Sequence, residues 1–309
     1  MSLNVLDDRN IKSTFFKQLD ISERGTWALE LAMKEPSDRE TESYKNLGSV
    51  GQMREWVGAR HSHSVRVESY TILNRPYENT LDISDDDVRR DKTGQIIRRT
   101  QELAIAAGTH PESLLSALLI ANGLCYDGQN FFDADHSSGD SGTHINELAA
   151  AQVAALNVTT VADPTPAEMA KLVLGMIAYM FTFKDDAGEP VNQNARSFTL
   201  MVPILYMGPA LQAVSERMLA SGSTAITNPL IGTGFNIRVL PNPRLTWTDK
   251  VALFRTDGAM KPLIWQEEVP VTFALNDDSF ANRRRQYGIY ASRGVGYGLW
   301  QHAVRGTLS

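Results

Sequence analysis

The chain has 309 residues, of which 42% are hydrophobic and 21% charged, and its 36 acidic and 30 basic side chains leave a net charge of −6. That composition belongs to a globular protein with room for one large domain or two smaller ones. It excludes tight wrapping of nucleic acid, which needs a dense basic surface to displace counterions.

A single cysteine, Cys125, cannot form an intramolecular disulfide and fits a reducing compartment. Residues 1–9 read MSLNVLDDR, with acids where a signal peptide needs a basic segment followed by an apolar one. The longest apolar run, 172–183, is about a dozen residues, short of the ~20 that cross a bilayer. A soluble protein made in the cytoplasm, with no membrane partner, is expected.

Residues 1–50 are polar with scattered apolar patches, Phe15, Phe16, Leu19 and Ile21 in one, Trp27, Leu29, Leu31 and Met33 in another. Such a segment is not expected to build a core alone, and it reads as an arm that orders on something else. Residues 51–87 turn β-like. Val65–Glu68 alternates apolar with charged, Tyr70–Leu73 is rich in strand formers, and Asn74-Arg75-Pro76 signals a turn into a second strand at 77–83. This predicts a long polar hairpin of marginal stability by itself.

Helices follow. Ile96, Thr100, Leu103, Ala104 and Ala107 share a stripe that Gly108 is expected to stop. Thr109-His110-Pro111-Glu112 reads as a capping box for a second helix burying Leu114, Leu115, Leu118 and Leu119, ended by Gly123. Thr165-Pro166-Ala167-Glu168 opens a third over Met169, Leu172, Val173 and Met176. Residues 197–205 read as a buried strand, and Pro209 starts a helix carrying Leu211, Val214, Met218 and Leu219. Strands are expected at 237–240, 251–254, 263–265, 269–273, 287–291 and 297–303. No internal repeat is visible. The order of elements predicts an α+β protein with appended extensions.

The densest polar cluster runs from Asp127 to His136, with Asp140 and His144 beyond it. Asp133, Asp135, His136 and His144 are the residue types that bind a divalent metal and would support a metal-dependent hydrolase. The spacing argues otherwise: adjacent Asp135 and His136 point apart on a strand, and Asp133 and Asp135 lack the acidic series of a calcium loop. The favoured reading is a turn whose acids bond backbone amides. His61 and His63 share a strand face without a third ligand. Gly232-Thr233-Gly234 precedes no Lys-Ser/Thr helix, so it is no phosphate cradle, and Cys125 between Leu124 and Tyr126 reads as core. No catalytic, cofactor-binding or metal residue is therefore assigned. The basic run Arg283-Arg284-Arg285 is expected to pair with Asp85-Asp86-Asp87 of a neighbouring subunit, because arginine forks suit carboxylates at interfaces.

Three stretches resemble the major head subunit of Mu-like phages and prophages. They are Arg54–Arg60 with Tyr70–Tyr77 and Asp85-Asp86-Asp87; Tyr126-Asp127-Gly128 with Phe131-Phe132, Asp135-His136 and Asn146; and Trp265-Gln266 with Tyr287-Gly288 and Gly296–Gln301. The resemblance implies the Hong Kong 97-type capsid fold: an N-terminal arm (1–50), an extended hairpin loop (51–90), a peripheral domain with a spine helix and β-sheet (91–160 and 241–309) and an axial domain (161–240). It implies a non-enzymatic major capsid protein of the virion. Copies would form hexamers and pentamers of an icosahedral shell around double-stranded DNA, held without sequence-specific contacts by a weakly acidic wall.

Scaffold, portal and decoration proteins are the further partners implied, the scaffold as a separate protein since the arm begins at Met1. A tail or baseplate component is the other virion reading. With no lysine between Lys45 and Lys92, no covalent cross-link is expected to start in the hairpin. Deleting residues 1–35 is expected to leave a soluble fold that fails to close shells.

Overall fold

The computed structural model describes residues 2–47, 67–90, 94–153, 156–221, 224–278 and 283–309. In chain order the elements are α1 (Ser2–Gly25), α2 (Ala28–Leu31), β1 (Ala32–Pro36), β2 (Thr41–Leu47), β3 (Val67–Leu73), β4 (Arg75–Ser84), α3 (Asp85–Arg90) and α4 (Gln95–Ala121). There follow β5 (Glu147–Leu148), α5 (Pro166–Thr182), β6 (Ser197–Val202), α6 (Met207–Ser215), β7 (Met218–Ser221), β8 (Thr224–Thr227) and β9 (Asn236–Pro241). The chain ends with β10 (Lys250–Arg255), β11 (Leu263–Asp278), β12 (Arg284–Tyr297) and β13 (Ala303–Thr307). They divide into two compact units, one of residues 1–42, 72–115 and 264–296, the other of 43–71, 116–263 and 297–309.

The first unit holds a four-stranded sheet in the order β1-β11-β12-β4. Its strand pairing corrects the predicted hairpin. Strand β4 does not return along β3; it runs antiparallel to β12, from Arg284 opposite Ser84 to Arg293 opposite Arg75. Strand β3 pairs instead with β2. Asn74 makes the change of partner: its amide donates to the Glu40 carbonyl and its side chain to Ser37 Oγ and the Arg39 carbonyl. Val65 and Arg66, His61 and His63, and Arg54–Arg60 lie outside the described residues.

A second correction concerns the N-terminal segment, which packs on its own chain. Ile11, Phe15 and Leu19 recur every four residues along α1 and are buried, as one face of a helix requires. Phe15 and Leu19 enter a core of Leu103, Ala104, Ala107, Val271 and Ala291, with Phe273 beside them.

The third correction is α4, one helix of 27 residues with Pro111 inside it. Gly108 does not stop it; a Cβ there would sit 2.6 Å from Ser22 Cβ of α1, so the glycine permits a close helix approach. Thr109 donates back to the Ile105 carbonyl (2.9 Å) instead of capping. Glu112 turns outward to accept from Thr26 Oγ1 (2.8 Å) and the Trp27 amide (3.2 Å). Pro111 leaves the Ala107 carbonyl without its helical donor, and Arg293 Nη1 approaches that oxygen at 3.4 Å. By length and composition α4 is also apolar enough to span a membrane, but its buried Leu103, Ala104, Ala107, Leu115 and Leu119 mark a core helix.

The second unit is built on a five-stranded sheet, β5-β13-β10-β6-β9. The middle strand β10 runs antiparallel to β13 and β6, and β9 lies parallel to β6. Five consecutive residues are buried in β6 and in β10, a continuous run that fits strands covered on both faces. Helix α5 opens with the predicted capping box, Thr165 Oγ1 accepting from the Glu168 amide and Glu168 Oε2 from the Thr165 amide. Its buried Leu172 and Met176 cross the sheet at Gly306, where an added Cβ would meet Met176 Sδ at 2.6 Å. Helix α6 is shorter than predicted. It ends at Ser215, Met218–Ser221 are strand β7, and the helix buries Ala210 and Ala213 while Leu211 stays exposed.

The structure also contains a local repeat that the sequence conceals. After α4, Cys125 donates to the Gln129 carbonyl, Gly128 to Cys125 and Phe131 to Gly123. After α5, Asp185 donates to Glu189, Gly188 to Asp185 and Val191 to Phe183, each bond displaced by 60 residues. Isolated bridges Leu124–Asn130 and Lys184–Pro190 match in the same way, and the two glycines share a left-handed φ of 82° and 81°. Only that glycine is identical in the pairs that define the turn, so composition gives no sign of it.

Candidate functional site

Among the described residues, polar side chains gather in two places, one in each unit. In the first unit the pairing of β4 with β12 sets the acids of 82–86 opposite the arginines of 283–285. Arg283 meets Asp86 (3.1 Å), Arg284 meets Asp82 (2.9 Å), and Arg285 bridges Asp85 (3.0 Å) and Asp8 of α1 (3.3 Å). The arginine–aspartate pairing expected between subunits therefore lies within one chain, because the strand register already opposes the two runs. Arg285 is buried, which works against its charge, but Asp85 and Asp8 outweigh this and hold its pKa above the ordinary value. Arg283 and Arg284 are largely exposed and contribute little.

Deeper in the same unit is a group that sequence reasoning missed. Arg293 of β12 is 1% exposed. Its Nη2 lies 3.5 Å from Glu267 Oε1, which is too far for a hydrogen bond, and Lys34 Nζ approaches Glu267 at 2.7 Å. Both cations lie near the Trp265 ring, Lys34 at 4.5 Å and Arg293 at 5.8 Å from its centre. Burial lowers the Arg293 pKa, with Glu267 and Glu23 opposing the shift. The signal was weak: a lone arginine at an inward position of a strand looks no different from a surface one.

The second unit contains the acids and histidines singled out from the sequence. Asp127 Oδ2 lies 2.6 Å from His136 Nδ1, with both side chains buried. His136 stacks on Trp300 (4.1 Å, 9°), and His144 meets Phe183 edge-on (5.6 Å). His136 and His144 face each other across an isolated bridge, yet they are held differently: His144 Nε2 accepts from the Lys184 amide (3.2 Å). Asp133 accepts from the Asn130 and Ala134 amides, and Asp127 Oδ1 from Gln129. These acids bond backbone amides, as predicted for a turn. Burial opposes ionisation of Asp133, but the Ala134 amide and its other donors outweigh it and lower the pKa. Asp135 is exposed, and its hydrogen bond to Asp133 raises its own pKa. Among the described residues no group of three or more His, Cys, Asp or Glu could hold a metal ion.

The remaining candidates have structural contacts. Cys125 is buried with Sγ 3.6 Å from the Gly298 carbonyl. Thr233 Oγ1 donates to Leu230, and the loop leads into strand β9, not a helix. Tyr297 Oη accepts from the Gly123 amide (2.6 Å) and donates to the Leu118 carbonyl (2.7 Å), closing the end of α4; burial pushes its pKa up to about 12. His302, also missed, has Nδ1 3.0 Å from the Met260 carbonyl, and burial lowers its pKa to about 4. These geometries stabilise loops and strand ends; none pairs a nucleophile with a base.

Known proteins supply the remaining evidence. The major capsid protein of Escherichia phage Mu is 37% identical over 109 residues, 34% of this chain and 35% of that protein. The Mu-like prophage FluMu major head subunit of Haemophilus influenzae is 30% identical over 126 residues, 40% and 41% of the two chains. These alignments span well under half of either relative's length. The fold is shared with a chain of the bacteriophage JBD30 procapsid (TM-score 0.54, 23% identity, 99% of this chain and 76% of that one). It is also shared with a chain of the Cyanophage P-SCSP1u capsid (0.56, 10%, 90% and 86%) and of a Pyrococcus furiosus virus-like particle (0.53, 12%, 96% and 97%). The α+β architecture is thus the Hong Kong 97-type capsid fold. A family model described as the Mu-like prophage major head subunit gpT matches residues 8–161 and 246–308, more than half of the chain. The chain belongs to the Mu-like prophage major head subunit family.

Proposed function

We propose that this chain is the repeating structural unit of a phage head. Its copies join into hexamers and pentamers and close an icosahedral shell around double-stranded DNA. The family match across both ends of the sequence carries this reading, and capsid-chain neighbours covering 90–99% of its length support it. Each copy-to-copy contact can be weak, because many act together on a closed surface. The work of such a protein is assembly rather than catalysis, and its place is the virion. The net charge of −6 suits a wall that does not grip the packed polymer.

The domain layout keeps the family pattern with its bounds moved to the two compact units. We assign the peripheral domain to residues 72–115 and 264–296, with α4 as the spine helix, and the axial domain to 116–263 and 297–309 instead of 161–240, because β6 and β9 share one sheet with β5, β10 and β13. We place the extended loop on the β2–β3 ribbon, not at 51–90, because β4 belongs to a larger sheet. Lys45 of β2 is the one lysine of this ribbon, and residues 46–73 contain none, so a covalent cross-link through a loop lysine has only that starting point. Scaffold, portal and decoration proteins complete the set of partners.

The test is negative-stain microscopy of the purified chain, alone and with its scaffold. Closed shells are expected; tubes or rings would assign it to the tail or baseplate, and persistent monomers would remove the assembly role.

A further inference from the structure

We propose that a cleft in the first unit binds a carboxylate carried on a small apolar body. The cleft has a volume of about 230 Å³ and is lined by Tyr77, Ala107, His110, Val271, Ala291 and Arg293. Apolar side chains supply much of the lining. A cavity of ~150 Å³ accommodates benzene, so this one has room for a ring and one polar group.

The charged end is what selects the ligand. Arg293 is 1% exposed, and its Nε and Nη2 have no hydrogen-bond partner. The third nitrogen, Nη1, reaches only the Ala107 carbonyl, at 3.4 Å. Buried donors without partners are rare and call for an explanation, and a buried guanidinium more so. Glu267 is the nearest acid, but its Oε1 at 3.5 Å is equally unbonded. A carboxylate satisfies guanidinium N–H groups with short charge-assisted bonds, preferably two at once; because Nε and Nη2 are buried, the fork must turn into the cleft to meet it. Glu78 also lines the cleft but is exposed, where solvent screens it; Arg293 is buried, where its field is strong. Burial lowers the Arg293 pKa although Glu267 and Glu23 oppose the shift, so its charge is costly where it stands. Tyr77 and His110, edge to face at 4.4 Å, give the apolar body aromatic surface to rest on.

Two sources can present this chemistry: a free small organic acid, or an acidic side chain of a second copy. The probe is benzoate, with benzamide as its neutral isostere, added to the full-length chain during thermal unfolding. Benzoate is expected to raise the midpoint by about 3 °C at ten times its Kd, and benzamide by much less. Ala106→Phe, at an exposed position on the same cleft, should fold normally and abolish the shift. Arg293→Lys keeps a cation but loses the fork and should weaken benzoate at least tenfold. No shift, equal shifts from the two probes, or a shift that survives Ala106→Phe overturns the proposal.

Benzoate binding to subunits but not to particles assigns the carboxylate to a second copy, a step that rests on the shell reading; binding to both assigns it to a free acid. If no particles form, the shell reading fails while the subunit result stands.

Discussion

Phe15 and Phe16 are adjacent in α1 and meet edge-on at 5.3 Å, yet the fold treats them oppositely. Phe15 is fully buried against Phe273 (4.8 Å between ring centres) and the helix α4 core, whereas Phe16 is 39% exposed. Truncating a buried phenylalanine removes its transfer free energy and leaves a cavity, for a cost of about 3–5 kcal/mol. Phe15→Ala should therefore lower the stability of the unassembled subunit by about 4 kcal/mol, or about 10 °C in melting temperature for a chain of this size. Phe16→Ala should cost about 1 kcal/mol or less. The comparison is made by urea unfolding under conditions where no particles form, with circular dichroism as readout. An arm ordered only on a neighbour would make both substitutions silent in the isolated subunit. Equal effects, or no effect of Phe15→Ala, would refute the packing of α1 on its own chain.

The same contact changes the expectation for truncation. Deleting residues 1–35 uncovers Leu103, Ala104 and Val271, so an aggregation-prone subunit should be recovered in place of a soluble one, as size-exclusion chromatography would show. Gly108→Ala brings a Cβ to 2.6 Å from that of Ser22 and should cost about 1–3 kcal/mol, part of which Ser22→Gly restores in the double mutant; additive losses in denaturant midpoints would count against the helix contact. His302 has a folded pKa lowered to about 4 from 6.5, so the unfolded chain takes up its proton first. Its contribution is complete above pH 6.5 and is lost as pH falls towards 4, by up to about 3 kcal/mol. The lowered pKa of His144 has the same sign. His302→Gln should flatten stability between pH 6.5 and 4, and an unchanged slope would exclude it as the source. Denaturing electrophoresis of assembled particles should show single subunits; ladders abolished by Lys45→Arg would place a cross-link at the one lysine of the β2–β3 ribbon.

Local chemistry was legible where it acted within a few residues. The capping box at Thr165–Glu168, the stripe of α5 and the buried run of β10 all follow from short-range pattern. Two failures share a cause, which is a distant partner. Gly108 and Pro111 read as breaks because the sequence does not show Ser22 against the glycine or Arg293 at the freed carbonyl of Ala107. Strand β4 read as the second arm of a hairpin because Asn74-Arg75-Pro76 resembles a turn, whereas its partner β12 lies some two hundred residues later. The arginine and aspartate runs were correctly matched to each other, but the same unseen register put them in one chain. The 60-residue repeat escaped because two turns can share every backbone bond while sharing one glycine.

The self-burial of α1 removes an argument for assembly without removing assembly. The expectation that the first ninety residues could not satisfy themselves treated their apolar residues as one undivided surface. A helix separates them: Ile11, Phe15 and Leu19 face inward, while Phe16 and Ile21, the latter 55% exposed, remain on the solvent side. One stripe of that kind anchors a helix to its own unit, and exposed apolar residues remain for a neighbour. Membership in the head-subunit family is independent of where α1 rests, because the match extends through residues 246–308 as well. A shell subunit with a self-packed leading helix must draw its copy-to-copy affinity from other surfaces, so substitutions on the outward side of α1 separate the two roles. Changing Phe16 and Ile21 to serine should leave folding intact, and any loss of particles would then be a loss of contact between copies, which Phe15→Ala cannot show.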